Sequence, residues 1–212
     1  MNFCTRSIVL AGLVLGFAVP SQAILVQEIA ISPGQTVSIS VPGFYTGPVL
    51  AGINLLKVDG VAMNGFCIDP FHFALPSSSG YQYTPLANAP KPPGTMGAVK
   101  AQQISSLWTM AYSPSMTASQ AAGFQIALWE IVGGTNFSIL GFDYGASSLL
   151  ASLGTFSGTG ASLIALTGPG QDYVVMNPNR QSTVPDGGST MAMLSLAIAG
   201  IALGRRHWPA RA

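Results

Sequence analysis

Charged residues are scarce in this chain. Asp, Glu, Lys and Arg make up 7% of its 212 residues, whereas soluble domains usually carry about 25%. The sequence also holds only two cysteines, Cys4 and Cys67, and two histidines, His72 and His207. A disulfide framework is therefore excluded, and zinc sites built from several Cys and His ligands are disfavoured. We expect no metal and no other cofactor.

The few charges are unevenly distributed. Half of the basic side chains lie at the two ends, at Arg6, Arg205, Arg206 and Arg211. The body between them is slightly acidic: Lys57, Lys91, Lys100 and Arg180 stand against Glu28, Asp59, Asp69, Glu130, Asp143 and Asp172. A body without a basic patch lacks the electrostatic footprint of a nucleic-acid-binding protein, so we expect no nucleic-acid partner.

The first 23 residues have the pattern of a secretory signal. Arg6 precedes an apolar run at residues 8–19, and Pro20-Ser21-Gln22-Ala23 follows as a small-residue cleavage site. We predict that signal peptidase cleaves after Ala23, which removes Cys4 with the peptide. An uncleaved N-terminal helix is disfavoured because the apolar run is short for a membrane span.

The C-terminal residues 184–212 combine a turn-forming motif, an apolar stretch and a basic end. Residues 187–204 carry no charge, and as a helix they would span roughly 27 Å, close to the hydrocarbon core of a bilayer. Arg205 and Arg206 follow as a cytoplasmic stop, so the body faces outward. The sequence therefore predicts a single transmembrane helix, preceded by the motif Val184, Pro185, Asp186, Gly187 and Gly188.

This tail resembles the VPDSG variant of the PEP-CTERM sorting signals that exosortases read. Gly188 stands where that variant has Ser. The resemblance implies an exported protein that is first membrane-anchored through its C-terminus and then delivered to the cell envelope or the extracellular polymer. A plain single-pass C-terminal anchor is the alternative.

The exported body, residues 24–176, reads as one domain, and residues 177–183 form a polar linker. Periodicity predicts strands at 24–31, 35–41, 49–58, 65–69, 136–140, 162–167 and 173–176, and helices at 98–112 and from a Thr117 or Ser115 cap to about 132. A turn is expected at Pro33-Gly34, loops at 43–48, 77–80 and 85–97, and residues 147–153 are ambiguous. This order predicts an α+β fold, a β-sandwich or barrel with an inserted helix pair.

Two segments of the body carry the chemistry. Gly-Phe-Cys-Ile-Asp-Pro at residues 65–70 and Ala-Ala-Gly-Phe-Gln-Ile-Ala-Leu-Trp-Glu-Ile at residues 121–131 resemble the two signature segments of bacterial surface thioester domains. Phe124 stands where that family has Thr. The resemblance implies an internal thioester between Cys67 and Gln125, formed with loss of ammonia and opened by a partner amine. Beside such a bond we expect Phe66, Phe124 and Trp129 to shield it from water, and Asp69, His72 or Glu130 to move protons.

Alternative interpretations remain open at this point. A lone Cys between Phe and Ile is commonly a small core hydrophobe, and Gln125 could simply hydrogen-bond within the helix pair. The protein would then be a non-reactive structural component of the surface, associated with exopolysaccharide. An envelope hydrolase is the least supported alternative, because the sequence lacks a Gly-x-Ser-x-Gly elbow and the body has a single histidine. We expect a non-enzymatic surface protein.

Overall fold

A large antiparallel sheet packed against helices forms the part of the chain that the computed structural model describes, residues 23–91 and 94–178. The strands are β1 (Ile24–Val41), β2 (Tyr45–Val58), β3 (Val61–Cys67), β4 (Ser77–Thr84), β5 (Pro90–Lys91), β6 (Gly94–Thr95), β7 (Ser138–Ile139), β8 (Leu163–Thr167) and β9 (Tyr173–Met176); the helices are α1 (Gly97–Ala111), α2 (Ala118–Gly133) and α3 (Ala146–Leu153). The mixed architecture confirms the predicted α+β class. The predicted signal sequence up to residue 22, residues 179–183 of the linker and the whole sorting segment lie outside the described residues.

Six strands pair in a closed ring in the order β1, β2, β3, β9, β8, β4 and back to β1, with β7 added along the far half of β1. Every pairing in the ring is antiparallel. Of the two architectures that the sequence predicts, a sandwich or a barrel, the sheet therefore forms the closed one, the barrel. The helix pair α1–α2 is inserted between β6 and β7, as expected.

Alternation along the strands divides the apolar side chains between two cores. One set of cross-strand neighbours fills the inside of the ring and includes Leu56, Leu166, Tyr173 and Val175. The opposite face of the sheet packs against the helices in a larger cluster, to which β3 contributes Phe66. The partly buried Met63 of β3 packs against the first core, whereas Cys67 at the end of β3 belongs to the cluster beside the helices.

The first strand corrects the predicted turn at Pro33-Gly34. Residues 24–41 form one continuous strand, with register irregularities between Glu28 and Ala30 and between Ile31 and Gly34. Gly34 lies opposite Gly52 of β2, and a Cβ on Gly52 would fall 2.3 Å from the Pro33 carbonyl oxygen. The two backbones approach closely here, and β1 stays paired with β2 on both sides of Pro33-Gly34, which local turn preference could not indicate.

Two predicted loops are also wrong. Residues 43–48 mostly belong to β2, which begins at Tyr45, and residues 77–80 open β4. The polar start of β4 is held by β1, since Ser77 and Ser78 pair with Gln27 and Val26. Their strand conformation comes from a partner distant in sequence rather than from local composition. The strand predicted at 65–69 begins at Val61 and ends at Cys67.

The two long helices, α1 and α2, agree with their sequence signals, and the ambiguous residues 147–153 lie in α3. Thr117 caps α2 in a capping box: its hydroxyl accepts a hydrogen bond from the Gln120 N–H, and the Gln120 side chain accepts one from the Thr117 N–H. Gly134, with φ of 54°, ends the helix. No helix among the described residues combines the length and the apolar character that a membrane crossing requires.

Candidate functional site

Cys67 is the last residue of β3 and is a buried free thiol, with 2% of its surface exposed. Two N–H groups donate to its Sγ atom: the Trp129 indole at 3.1 Å and the Asp69 main chain at 3.3 Å. Burial raises the pKa of the thiol far above its ordinary range, and the two donors only partly oppose that shift. As a free thiol, Cys67 therefore keeps its proton.

Gln125 lies in the middle of α2, with 1% of its surface exposed. Its Nε2 atom donates to the Cys67 carbonyl oxygen at 2.7 Å, and its Oε1 atom accepts from the Cys67 N–H at 3.0 Å. The side-chain amide thus forms a two-point hydrogen-bond pair with the main chain of Cys67. The structure brings together the two residues that the sequence singled out.

Helical spacing explains how a second side chain of α2 reaches the same sulfur. Trp129 follows Gln125 by one turn, so the two side chains share a face of the helix. Gln125 contacts the main chain of Cys67 and Trp129 contacts its Sγ atom. Trp129, predicted as a shield, is therefore a direct hydrogen-bond donor to the thiol.

Aromatic packing fixes β3 against both long helices. The Phe66 ring lies 4.6 Å from that of Phe124 on α2 and 5.5 Å from that of Trp108 on α1, measured between centroids. Phe66 and Phe124 are fully buried. Interlocked rings of this kind restrict relative motion of strand and helix, which keeps the Gln125 amide against Cys67.

The three residues predicted to move protons differ in position. Asp69 is buried two residues beyond Cys67, where its Oδ2 atom lies 2.7 Å from Nδ1 of the exposed His72 and its Oδ1 atom accepts from the Phe71 N–H. Glu130 points elsewhere on α2, and burial together with the nearby Asp143 carboxylate raises its pKa. The structure therefore leaves Asp69 and His72 near the thiol and separates Glu130 from it.

A cavity of about 310 Å³ opens beside the Cys67–Gln125 contact. Its wall includes Asn54 of β2, Glu28 of β1 and Gln171, none of which the sequence analysis proposed for the site. Asn54 interrupts the apolar run of β2 and is 1% exposed. A polar residue at a buried strand position was the available sequence signal for this cavity.

No group of three or more His, Cys, Asp and Glu residues that could hold a metal ion is found within residues 23–91 and 94–178. The cavity is instead lined by the Cys67 thiol, by the primary amides of Gln125, Asn54 and Gln171, and by the Glu28 carboxylate.

Comparison with known protein families gives a match for one segment of the chain. Residues 183–207 match the VPDSG-CTERM motif. The match includes the predicted motif from Val184 to Gly188 and the cytoplasmic stop at Arg205 and Arg206, and it supports an exosortase-sorted C-terminal signal on an exported, envelope-associated protein. No curated protein and no solved structure matches the chain. The resemblance of the body to thioester domains stays a prediction.

Proposed function

We propose that this chain is an exported surface protein, sorted by an exosortase, whose body captures a partner covalently through an internal thioester between Cys67 and Gln125. The observation that carries the proposal is the paired contact of 2.7 and 3.0 Å between the Gln125 amide and the main chain of Cys67. The motif match at residues 183–207 supports the export and sorting steps.

Formation of the bond balances within the pair. The Cys67 Sγ atom attacks the Gln125 Cδ atom, a C–S bond forms, and the C–N bond to Nε2 breaks. The thiol proton passes to the departing nitrogen, which leaves as ammonia. The thiolate is the reactive form, and the Trp129 and Asp69 N–H groups that already contact Sγ stabilise negative charge as it develops there.

Burial and rigidity supply what this reaction needs. Well-oriented intramolecular groups reach effective molarities of about 10⁵ M or more, and Gln125 is held against Cys67 by hydrogen bonds from a capped helix. Both residues are at most 2% exposed, so a thioester formed there would contact solvent only through the adjacent cavity. A partner amine would attack the Gln125 carbonyl carbon, leaving an amide cross-link and a free Cys67 thiol.

A specific observation also favours a second function. The Nε2 and Oε1 atoms of Gln125 are both hydrogen-bonded to Cys67, which is what a structural clamp between α2 and β3 requires. In that case the body is a non-reactive component of the cell surface or its exopolysaccharide, with the same sorting signal.

The intact mass of the exported protein distinguishes the two functions. We expect a mass lighter by one ammonia than the sequence of the processed chain requires, and addition of methylamine at Gln125 with simultaneous exposure of an alkylatable Cys67 thiol. The second function, the structural clamp, would be supported instead if the protein had the full mass of its sequence and if Cys67 could be alkylated on denaturation before any methylamine is added.

Two glutamines of the same helix provide a matched control. Gln125→Glu removes the amide that is lost as ammonia, so this variant should neither lose ammonia nor take up methylamine. Gln120 is exposed, hydrogen-bonds to Thr117 in the helix cap and does not line the cavity beside Cys67. Gln120→Glu keeps an acceptor for the Thr117 N–H and should react like the unmodified protein.

A further inference from the structure

The cavity beside Cys67 and Gln125 has an aromatic mouth and a polar wall. Phe44, Tyr45 and Phe73 lie at its mouth, where the Phe73 ring centroid is 5.1 Å from that of Phe44 and 5.7 Å from that of Tyr45. Phe44 and Phe73 are 41% and 63% exposed. The cavity therefore joins the protein surface to the buried Cys67–Gln125 contact.

Asn54 is anomalous in this wall. Its side chain is 1% exposed, and its Oδ1 atom is a buried polar side-chain atom without a hydrogen-bond partner within the described chain. An unpaired buried acceptor destabilises a protein, and native structures contain few of them. The position suits an external hydrogen-bond donor that enters the cavity.

The strand register places Asn54 near the reactive pair. Asn54 of β2 lies opposite Gly65 of β3, and Cys67 is the next β3 residue on the same face. Diagonal neighbours of this kind are about 7–8 Å apart. A small group bound at Asn54 Oδ1 would thus share the cavity with Cys67 and with the Gln125 amide that contacts it.

Glu28 supplies a second acceptor from β1. It pairs with Leu56 of β2, two residues beyond Asn54, and its side chain lines the same cavity. The Tyr173 hydroxyl donates to the Glu28 Oε2 atom at 2.7 Å, which orients the carboxylate. Among the residues that the structure describes, no Lys or Arg lines the cavity.

We infer that this cavity is a recognition site for a primary ammonium group, with Asn54 Oδ1 and the Glu28 carboxylate as its acceptors. A primary ammonium carries three N–H donors and one positive charge, which matches two converging acceptors, one of them anionic. The aromatic faces at the mouth also attract cations. The binding stands on these contacts, whereas its chemical consequence, amine delivery to Gln125, rests on the proposed function.

Delivery requires one proton transfer before attack. The bound ammonium gives a proton to the Glu28 carboxylate and becomes a neutral amine. The amine nitrogen then bonds to the Gln125 Cδ atom, the C–S bond breaks, and a second proton passes from nitrogen to the Cys67 sulfur. The products are a secondary amide on Gln125, a Cys67 thiol and a protonated Glu28, which returns its proton to solvent.

Binding can be tested without the thioester. In the full chain carrying Cys67→Ala, no thioester forms and the Gln125 side-chain amide persists as a nuclear magnetic resonance reporter. We expect methylammonium to shift this signal saturably, and Asn54→Leu in the same background to weaken the binding at least tenfold. Asn64→Leu is the matched control, because Asn64 lies on β3, contacts Tyr112 and does not line this cavity. Methylammonium that leaves the signal unchanged, or binds equally well after Asn54→Leu, would overturn the site. Cys67→Ser serves if Cys67→Ala fails to fold.

Reaction rates test delivery in the chain with Cys67 intact. Methylamine is mostly an ammonium ion at neutral pH, whereas hydroxylamine is neutral and cleaves thioesters without ammonium recognition. Asn54→Leu should slow adduct formation with methylamine by about tenfold or more, the effect of one lost charge-assisted hydrogen bond, and leave the hydroxylamine rate within about twofold. Equal slowing of both reactions would refute ammonium recognition while keeping the thioester. The two proposals can also fail separately. If the unmodified protein has its full mass but the Cys67→Ala variant still binds methylammonium in a manner that depends on Asn54, the thioester is refuted and the recognition site is supported.

Discussion

The hydrogen-bond pair between Gln125 and Cys67 makes a strong prediction about stability. Gln125→Leu keeps a similar side-chain volume but removes both partners of the Cys67 main chain. Cys67 is 2% exposed, so water cannot readily replace them. Each orphaned buried group costs about 1–3 kcal/mol, so the pair should cost about 2–6 kcal/mol. Total stabilities of about 5–15 kcal/mol are typical of domains, and the loss should be obvious.

The comparison is best made in a Cys67→Ala background, because a thioester would otherwise add its own contribution. Urea denaturation, followed by tryptophan fluorescence, gives the free energy of unfolding for each variant. Gln103→Leu on the exposed face of α1 is the control, and it should change stability by no more than about 0.5 kcal/mol. A loss below about 1 kcal/mol for Gln125→Leu would refute the idea that its amide clamps α2 to β3.

Three further predictions follow from single residues. Asn54→Leu should raise the free energy of unfolding by about 1–3 kcal/mol in urea titrations, because it removes an unpaired buried acceptor; a less stable variant would show that Oδ1 has a partner. Burial raises the pKa of Asp172 from 3.8 to about 7, so its stabilising contribution is fully present below about pH 4 and is lost as the pH rises through 7. In urea titrations across that pH range, the free energy of unfolding should therefore decline less for Asp172→Asn than for the unmodified protein. An equal decline in both proteins would contradict the raised pKa. Gly52→Ala should lose about 1–3 kcal/mol in the same assay, because its Cβ would meet the Pro33 oxygen at 2.3 Å; Gly94→Ala, with open space around it, should not.

The two long helices of the body, α1 and α2, could be predicted because their signals are local. Thr117 begins α2 and Gly134 ends it through contacts within a few residues. The start of β4 could not be predicted, since Ser77 and Ser78 become strand residues only by pairing with β1 about fifty positions earlier. The continuity of β1 likewise depends on Gly52, which the sequence does not place beside Gly34.

The candidate site could also be predicted only in part. Cys67 and Gln125 were found because their flanking segments resemble a known pair, and the spacing from Gln125 to Trp129 puts both side chains on one helix face. The cavity beside them was not predicted, because it depends on the register of β1, β2 and β3. The available sequence signal for the cavity was Asn54, a polar residue within the apolar part of β2.

The position of β9 has a mechanical consequence. The sorting match begins at residue 183, a few residues after β9 ends at Met176. A pull on the C-terminal segment would therefore enter the body through β9, which is hydrogen-bonded to β3 on one side and to β8 on the other. Detaching β9 would require breaking its hydrogen bonds to β3 and to β8 at the same time. The force would also reach β3, where Cys67 pairs with Tyr173 of β9, so tension on the C-terminal segment would be transmitted to the strand that holds the thiol.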